Sequence, residues 1–291
     1  MYRNVVTSFA FIGLLLLASL AILPSSAAGR AYAQEQGAGP KKYTVGVYLV
    51  NIGKIDVQTG SYDLDFYVWF ASSDPGTDFT KEKPRFDFTN GLRFTADPMR
   101  IEPSYYEARV RGTFIKNMDF RNYPFDRQQV TIEVEGFETV DRLVFVPDEQ
   151  ASGFDGLINV PGWNLGGSRS DVTVHEYPDS KYSRYVFTFV IERAALSSFL
   201  KTIFPVLIIT TIAMLAFWMS PTNFAPRIGL AASTLLAAVA AHLNATNQLP
   251  PIGYLTFIDK IMIIVYALFL NNLLSMVMQM RLVDHKKEQE A

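Results

Sequence analysis

MDFRNYPFDRQQV, residues 118–130, sets Asp119, Arg121, Asp126 and Arg127 around an aromatic-proline-aromatic centre, Tyr123-Pro124-Phe125. Its charges disfavour a place in a hydrophobic core, because an unpaired buried charge is costly. Its aromatic centre is out of place in an ordinary solvated loop. The stretch reads as a contact element, and the sequence on either side shows what it has to contact.

From Tyr43 to Glu192 the chain is built of short alternating segments. YDLDFYVWF (62–70) puts Leu64, Phe66, Val68 and Phe70 on one face, a period of two. VTIEVEGF (130–137) turns Val130, Ile132 and Val134 inward and Thr131, Glu133 and Glu135 outward. YTVGVYLV, LRFTA, YEARVRGTF, DRLVFVP, DVTVHEY and RYVFTFVIE are further strands, separated by the turn signals QTGS, TNG and YPDS. The pattern predicts an antiparallel, immunoglobulin-like β-sandwich over residues 43–192, outside the membrane.

Beyond Arg193 the composition becomes apolar. Spans are predicted at about 198–219, 227–248 and 258–280, each long enough to cross a bilayer, within a membrane region of 193–282. Residues 283–291 read as a short cytoplasmic tail, in which Lys286 and Lys287 follow the positive-inside tendency. At the other end, Arg3, the apolar stretch Ala10–Leu23 and Ala31-Tyr32-Ala33 read as an export signal over 1–33, with a flexible lead-in over 34–42. An uncleaved anchor is the alternative. Export without a single cysteine points to the bacterial inner membrane, with the N-terminal domain periplasmic.

Several function classes are disfavoured. A net charge of −2 gives no reason to expect nucleic acid. The three histidines lie far apart, so no metal cluster is expected, and no cofactor motif is present. GxSxG, Walker and HExxH patterns are absent, which tilts the reading away from an enzyme.

The second span is distinctive. Gly229, Ser233, Leu236, Ala240, Leu243 and Asn247 recur at intervals of four and three and share one helical face. Small and hydroxylated residues on a membrane helix serve tight helix packing. They also suit a pore wall, with Leu236 as a hydrophobic constriction that closes by dewetting.

The opening stretch resembles the signature loop of the pentameric ligand-gated ion channels in its prokaryotic, cysteine-free form, and is similar to that of the bacterial amine-gated branch. RIGLAASTLL (227–236) resembles the family's pore helix, and NQLPPIGYLTFIDK (247–260) the linker into its third span. Arg193 and Pro205 fall where the family has them.

The resemblance implies a homopentamer, each chain joined by four copies of itself in a lipid bilayer, that conducts inorganic ions when a small-molecule agonist binds between neighbouring sandwiches. It implies a coupling interface formed by Tyr123, Pro124, Phe125 and Asp126, the Asp56–Ser61 hairpin and the Gln248–Leu255 linker with Pro250; Asp126 and Arg127 are expected to meet charges such as Arg193. It implies a ligand site of Glu135, Phe137, Tyr177 and Tyr182, with Tyr67 and Trp69 lining the neighbour's side. A carboxylate beside an aromatic face suits a primary amine. Each of these aromatics also fits plain subunit-interface packing.

Where cation-selective relatives carry an acid ring, this chain has Asn223-Phe224-Ala225-Pro226-Arg227, which favours anions. The family's fourth span is expected to be missing, because the sequence stops eleven residues after Met280. A non-conducting membrane-anchored sensor or a channel fragment is the alternative reading.

Overall fold

A computed structural model describes residues 39–220 and 222–290. The export signal and most of the lead-in lie outside the described residues. Ten strands come first: β1 (Lys41–Asp56), β2 (Ser61–Ala71), β3 (Phe86–Phe88), β4 (Gly91–Glu102), β5 (Tyr105–Ile115), β6 (Arg127–Thr139), β7 (Leu143–Pro147), β8 (Gly153–Phe154), β9 (Trp163–Glu176) and β10 (Lys181–Arg193). They form two facing sheets. One has the order β4-β5-β2-β1-β7, with β8 also on β1; the other has the order β3-β6-β10-β9.

The period-two pattern fixes which faces meet. Leu64, Phe66, Val68 and Phe70 of β2 are buried, as are Val130, Ile132 and Val134 of β6. They share one core with Phe187, Phe189 and Ile191 of β10. Phe66, Phe88 and Phe114 close the centre, Phe88 lying 5.6 Å from each of the other two rings, edge to face. Edge-to-face rings gain quadrupolar attraction beyond their area burial. Truncating such a ring to alanine costs roughly 3–5 kcal/mol.

Three strand expectations are corrected. The sandwich is not wholly antiparallel, since β1 pairs in parallel with both β7 and β8. Only a tight hairpin forces antiparallel pairing; β6 belongs to one sheet and β7 to the other, so the chain crosses over and enters beside β1 in the same direction. The strand β1 begins at Lys41, inside the expected lead-in, because its backbone pairs with Leu143 and Val144. Thr131 and Glu135 do lie opposite the core face of β6, yet both are buried, under polar partners that a simple alternation does not anticipate.

The remaining chain is helical. The first apolar helix runs from Ala195 to Leu215. It comprises α1 (Ala195–Ser198), a π-helical turn at Phe199–Ile203 and α2 (Phe204–Leu215). Pro205 lacks an amide hydrogen and its ring crowds the carbonyl of Lys201, four residues back, where the turn widens. Then come α3 (Phe224–Thr246) and α4 (Phe257–Glu290). The helices 195–215, 224–246 and 257–286 are long and apolar enough to cross a membrane, the mark of a multi-pass membrane protein.

Small side chains let these helices approach closely. Ala238 and Ala245 of α3 pack with Ala213 of α2 and with Met262, Val265 and Phe269 of α4. The last helix continues through the expected tail to Glu290. The segment DHKKEQE is rich in helix formers and contains neither glycine nor proline to stop it.

Candidate functional site

The loop between β5 and β6 seats on the helices. Phe120 and Tyr123 are buried in one apolar cluster with Ile203, Leu249, Ile258 and Met262. Burial pushes the Tyr123 hydroxyl above its usual pKa. Phe125 stays partly exposed, its ring 6.1 Å from that of Phe257. The Tyr123–Pro124 peptide bond is cis. Hydrogen bonds also tie sandwich to helices. The Phe120 amide donates to the Tyr254 hydroxyl at 3.0 Å, and the Ile258 amide to the Tyr123 carbonyl at 3.2 Å. Gln58 Nε2, in the β1–β2 turn, donates to the Asn247 carbonyl at 2.9 Å. Pro250 is half-buried in the linker beside buried Leu249.

Charge completes this junction. Asp126 is 1% exposed, and Arg193 Nε donates to its Oδ1 at 2.6 Å. Gln128 Nε2 donates to Asp126 Oδ2 at 3.0 Å and to the Asp119 carbonyl at 2.7 Å, while Gln128 Oε1 accepts from the Asp119 amide. Both ends of that buried amide are used to close the loop. The Arg193 guanidinium also lies 4.5 Å from the Trp163 ring centre and 5.1 Å from that of Tyr123, within cation–π range. Arg127 pairs instead with Glu192, at 3.0 Å on the surface.

On α3, Gly229, Ser233, Leu236, Ala240, Leu243 and Asn247 are all exposed, Leu236 at 71%. The helix buries the other side: Arg227, Ala231, Thr234, Ala238 and Ala245. Arg227 therefore does not share the exposed face. Its Nε donates to the Ala216 carbonyl at 3.0 Å and its Nη2 to Gln279 Oε1 at 2.9 Å, two neutral acceptors. At the other end, His242 Nε2 lies 2.8 Å from Asp259 Oδ1, and His242 Nδ1 lies 3.0 Å from the Tyr266 hydroxyl. Asp259 Oδ2 accepts from the Thr256 amide and hydroxyl, both at 2.8 Å. The residue before Asp259 is Ile258, whose amide holds the Tyr123 carbonyl, so this cluster stands directly behind the junction.

A cleft of about 470 Å³ opens on the four-stranded sheet. Glu135, Phe137, Tyr177 and Tyr182 line it together, with Asp87 and Asp179 adding negative charge. Tyr177 comes from the turn just after β9 and Tyr182 from the start of β10, their rings 5.6 Å apart, edge to face. The Tyr177 hydroxyl donates to Glu135 Oε1 at 3.0 Å; desolvation and that bond raise its pKa.

Two guanidiniums already hold the groups proposed for a ligand amine. Arg184 Nε donates to Glu135 Oε2 at 2.9 Å, and Arg184 also pairs with Glu133. Arg85 lies 5.2 Å from the ring centre of Phe137. Within one chain, Tyr67 and Trp69 are not part of this cleft, because they stand on β2 of the opposite sheet. Tyr67 lies under Arg109, whose guanidinium is 5.4 Å from its ring centre. Trp69 is buried, its indole donating to Asp148 Oδ2 at 3.1 Å, against a glycine, Gly46, where a Cβ would collide with the ring.

Sequence reasoning missed Arg184, Arg85, Gln128 and Trp163. Arg184 had no local signal, because it meets Glu135 only through the β10–β6 register. Trp163 had none short of the fold.

No family model matches the chain. It is similar to gamma-aminobutyric acid receptor subunit beta-4 of Gallus gallus, 28% identical over 191 residues, which cover 64% of this chain and 39% of that protein. The chain thus spans about two fifths of the length of the curated relative it matches. This distant similarity supports the pentameric ligand-gated channel family, and the sandwich followed by apolar helices is consistent with that fold.

Proposed function

We propose that the chain is a subunit of a homopentameric ligand-gated ion channel, in which an agonist bound between neighbouring sandwiches opens a pore lined by α3. One observation carries the reading. The exposed stripe of α3, Gly229 to Asn247, is small or polar at both ends with Leu236 between them, and it lies on the helix whose outer end the sandwich holds through Gln58 and the Tyr123 loop. A face left bare by its own chain fits a water-filled wall with a narrow apolar ring at Leu236. The sandwich lies outside the membrane, and agonist shifts an existing closed–open equilibrium.

The agonist is a small primary amine. The three carboxylates Asp87, Glu135 and Asp179 outnumber the two guanidiniums of Arg85 and Arg184 at the cleft, and the relative is named for gamma-aminobutyric acid, which carries such an amine. The ligand ammonium competes with Arg184 for Glu135 and with Arg85 for Phe137; Tyr67 belongs to the neighbour's wall, and Trp69, buried against Gly46 and Asp148, braces that wall from behind. The pore favours anions, since residues 223–227 hold no carboxylate; Arg227, buried on the far side of α3 among neutral partners, contributes only its field from behind that wall.

The test is the purified full chain in planar bilayers, with amines applied to the sandwich side and a chloride gradient imposed. Amine-evoked currents that Glu135→Gln shifts to about 10–100-fold higher concentration are expected, the worth of a charged hydrogen bond. A five-fold native mass with no current under any amine leaves a non-conducting receptor. A sodium-selective current refutes the anion assignment.

A further inference from the structure

A second cavity, of about 400 Å³, lies where the coupling loop, the start of the first helix and the outer end of α3 converge. Its volume falls within the range of small-molecule sites, about 300–1,000 Å³. One part of its lining is apolar, from Pro124, Pro205, Ala241 and Ala245; the polar part is rich in donors, namely the Ser197, Ser198 and Thr202 hydroxyls, the Asn244 and Gln248 amides, and the Lys201 ammonium. No aspartate or glutamate lines it. Arg193 also borders it, but that guanidinium is committed to Asp126. Lys201 is different: among the described residues it forms no ion pair. It sits in the π-helical turn, at the edge of the apolar run that enters the membrane. A donor-rich, acid-free cavity with one unneutralised cation attracts an anion, and several hydroxyl and amide donors around a point charge suit a group with several acceptor oxygens.

We propose that this cavity binds a phosphate group through Lys201, with Ser197, Ser198, Thr202, Asn244 and Gln248 as hydrogen-bond donors. The chemistry fits the phosphodiester of a lipid headgroup, which lies at the depth of Lys201, and equally a free phosphate arriving from water. Either occupant touches Tyr123 and Pro124 on one side and α3 on the other, the two parts joined at the junction. The site is independent of the amine cleft and of whether the chain conducts.

The experiment uses the full chain purified in detergent. Native mass spectrometry counts phosphatidylglycerol retained on the wild type and on Lys201→Gln, Lys201→Arg and Lys260→Gln; Lys260 is an exposed lysine at the start of α4 that does not line the cavity. Delipidated protein is titrated in parallel with inorganic phosphate, read as a rise in melting midpoint. Retention of lipid that falls about ten-fold or more in Lys201→Gln, returns in Lys201→Arg and survives Lys260→Gln establishes the site with a lipid source. A Lys201-dependent response to inorganic phosphate alone establishes it with a free-anion source. Lipid and phosphate binding unchanged in Lys201→Gln, or lost as fully in Lys260→Gln, overturns the proposal.

Discussion

Removal of the Asp126 carboxylate gives the sharpest test of the junction. Its oxygens accept from Arg193 at 2.6 Å and from Gln128 at 3.0 Å, and the side chain is fully buried. In Asp126→Ala the Arg193 guanidinium, only 18% exposed, keeps its two aromatic faces but loses its counter-charge. Breaking one side of a buried pair costs about 3–5 kcal/mol, and the partial exposure of Arg193 places this case near 3. A protein of this size shifts its melting midpoint by roughly 2–4 °C per kcal/mol, so a fall of about 6–12 °C is expected. Arg193→Ala should cost a similar amount, and the double variant should lose about 2 kcal/mol less than the sum of the two. The assay is fluorescence-detected size exclusion of the heated full chain in detergent. Arg127→Ala is the internal control: it breaks only the exposed pair with Glu192 and should cost no more than about 1 kcal/mol. Strict additivity of the two variants, or a shift for Asp126→Ala no larger than that of Arg127→Ala, would refute the junction as described.

Leu236→Ser, on the bare face of α3, should remove the constriction proposed there and raise current in the absence of agonist; bilayer recordings with unaltered resting current would deny Leu236 that place. His242→Phe strips Asp259 and Tyr266 of their partner and should destabilise the α3–α4 contact by about 1–3 kcal/mol, seen as a lower melting midpoint, and a midpoint within 1 °C of wild type (roughly half a kcal/mol or less) would contradict the geometry. Acid should weaken the sandwich through Asp65. The Arg109 hydrogen bond, working against burial, holds that carboxyl below its usual range. Its stabilisation is therefore complete above the unfolded value near about 4 and is lost as pH falls through the lower folded value. Melting midpoints at pH 6 and pH 3 should differ less in Asp65→Asn than in the wild type; equal differences would deny Asp65 the role.

How much of this was legible depended on what each residue answers to. Phe66 and Val130 answer to a period of two that burial on one face imposes, and Leu236 or Ala240 to the helical period, so sequence alone placed them. Asp126 announced itself as a charge in an aromatic loop. Arg184 did not, because its meaning comes from a strand register: only once Arg184 stands opposite Glu135 is it clear that the cleft's carboxylate has a partner. Trp163 and Gln58 meet partners far along the chain, Gln58 across 189 positions. Arg227 stood out in the sequence as a charge in the first turn of α3, but the side of the helix it takes depends on which neighbours offer carbonyls. The parallel entry of β7 beside β1 follows from a crossover between sheets that no local pattern encodes.

The length of α4 has a mechanical consequence. Thirty-four residues at about 1.5 Å each make a rod of roughly 50 Å, against a hydrocarbon layer of about 30 Å. One end carries Asp259 and the amide that grips the Tyr123 loop; the other stands clear of the lipid. A rod gripped at one end turns rotation into travel. A tilt of about 5° about the Asp259 end sweeps the far end through about 4 Å, so a displacement too small to notice at the loop arrives on the opposite side of the membrane as a movement the width of a side chain.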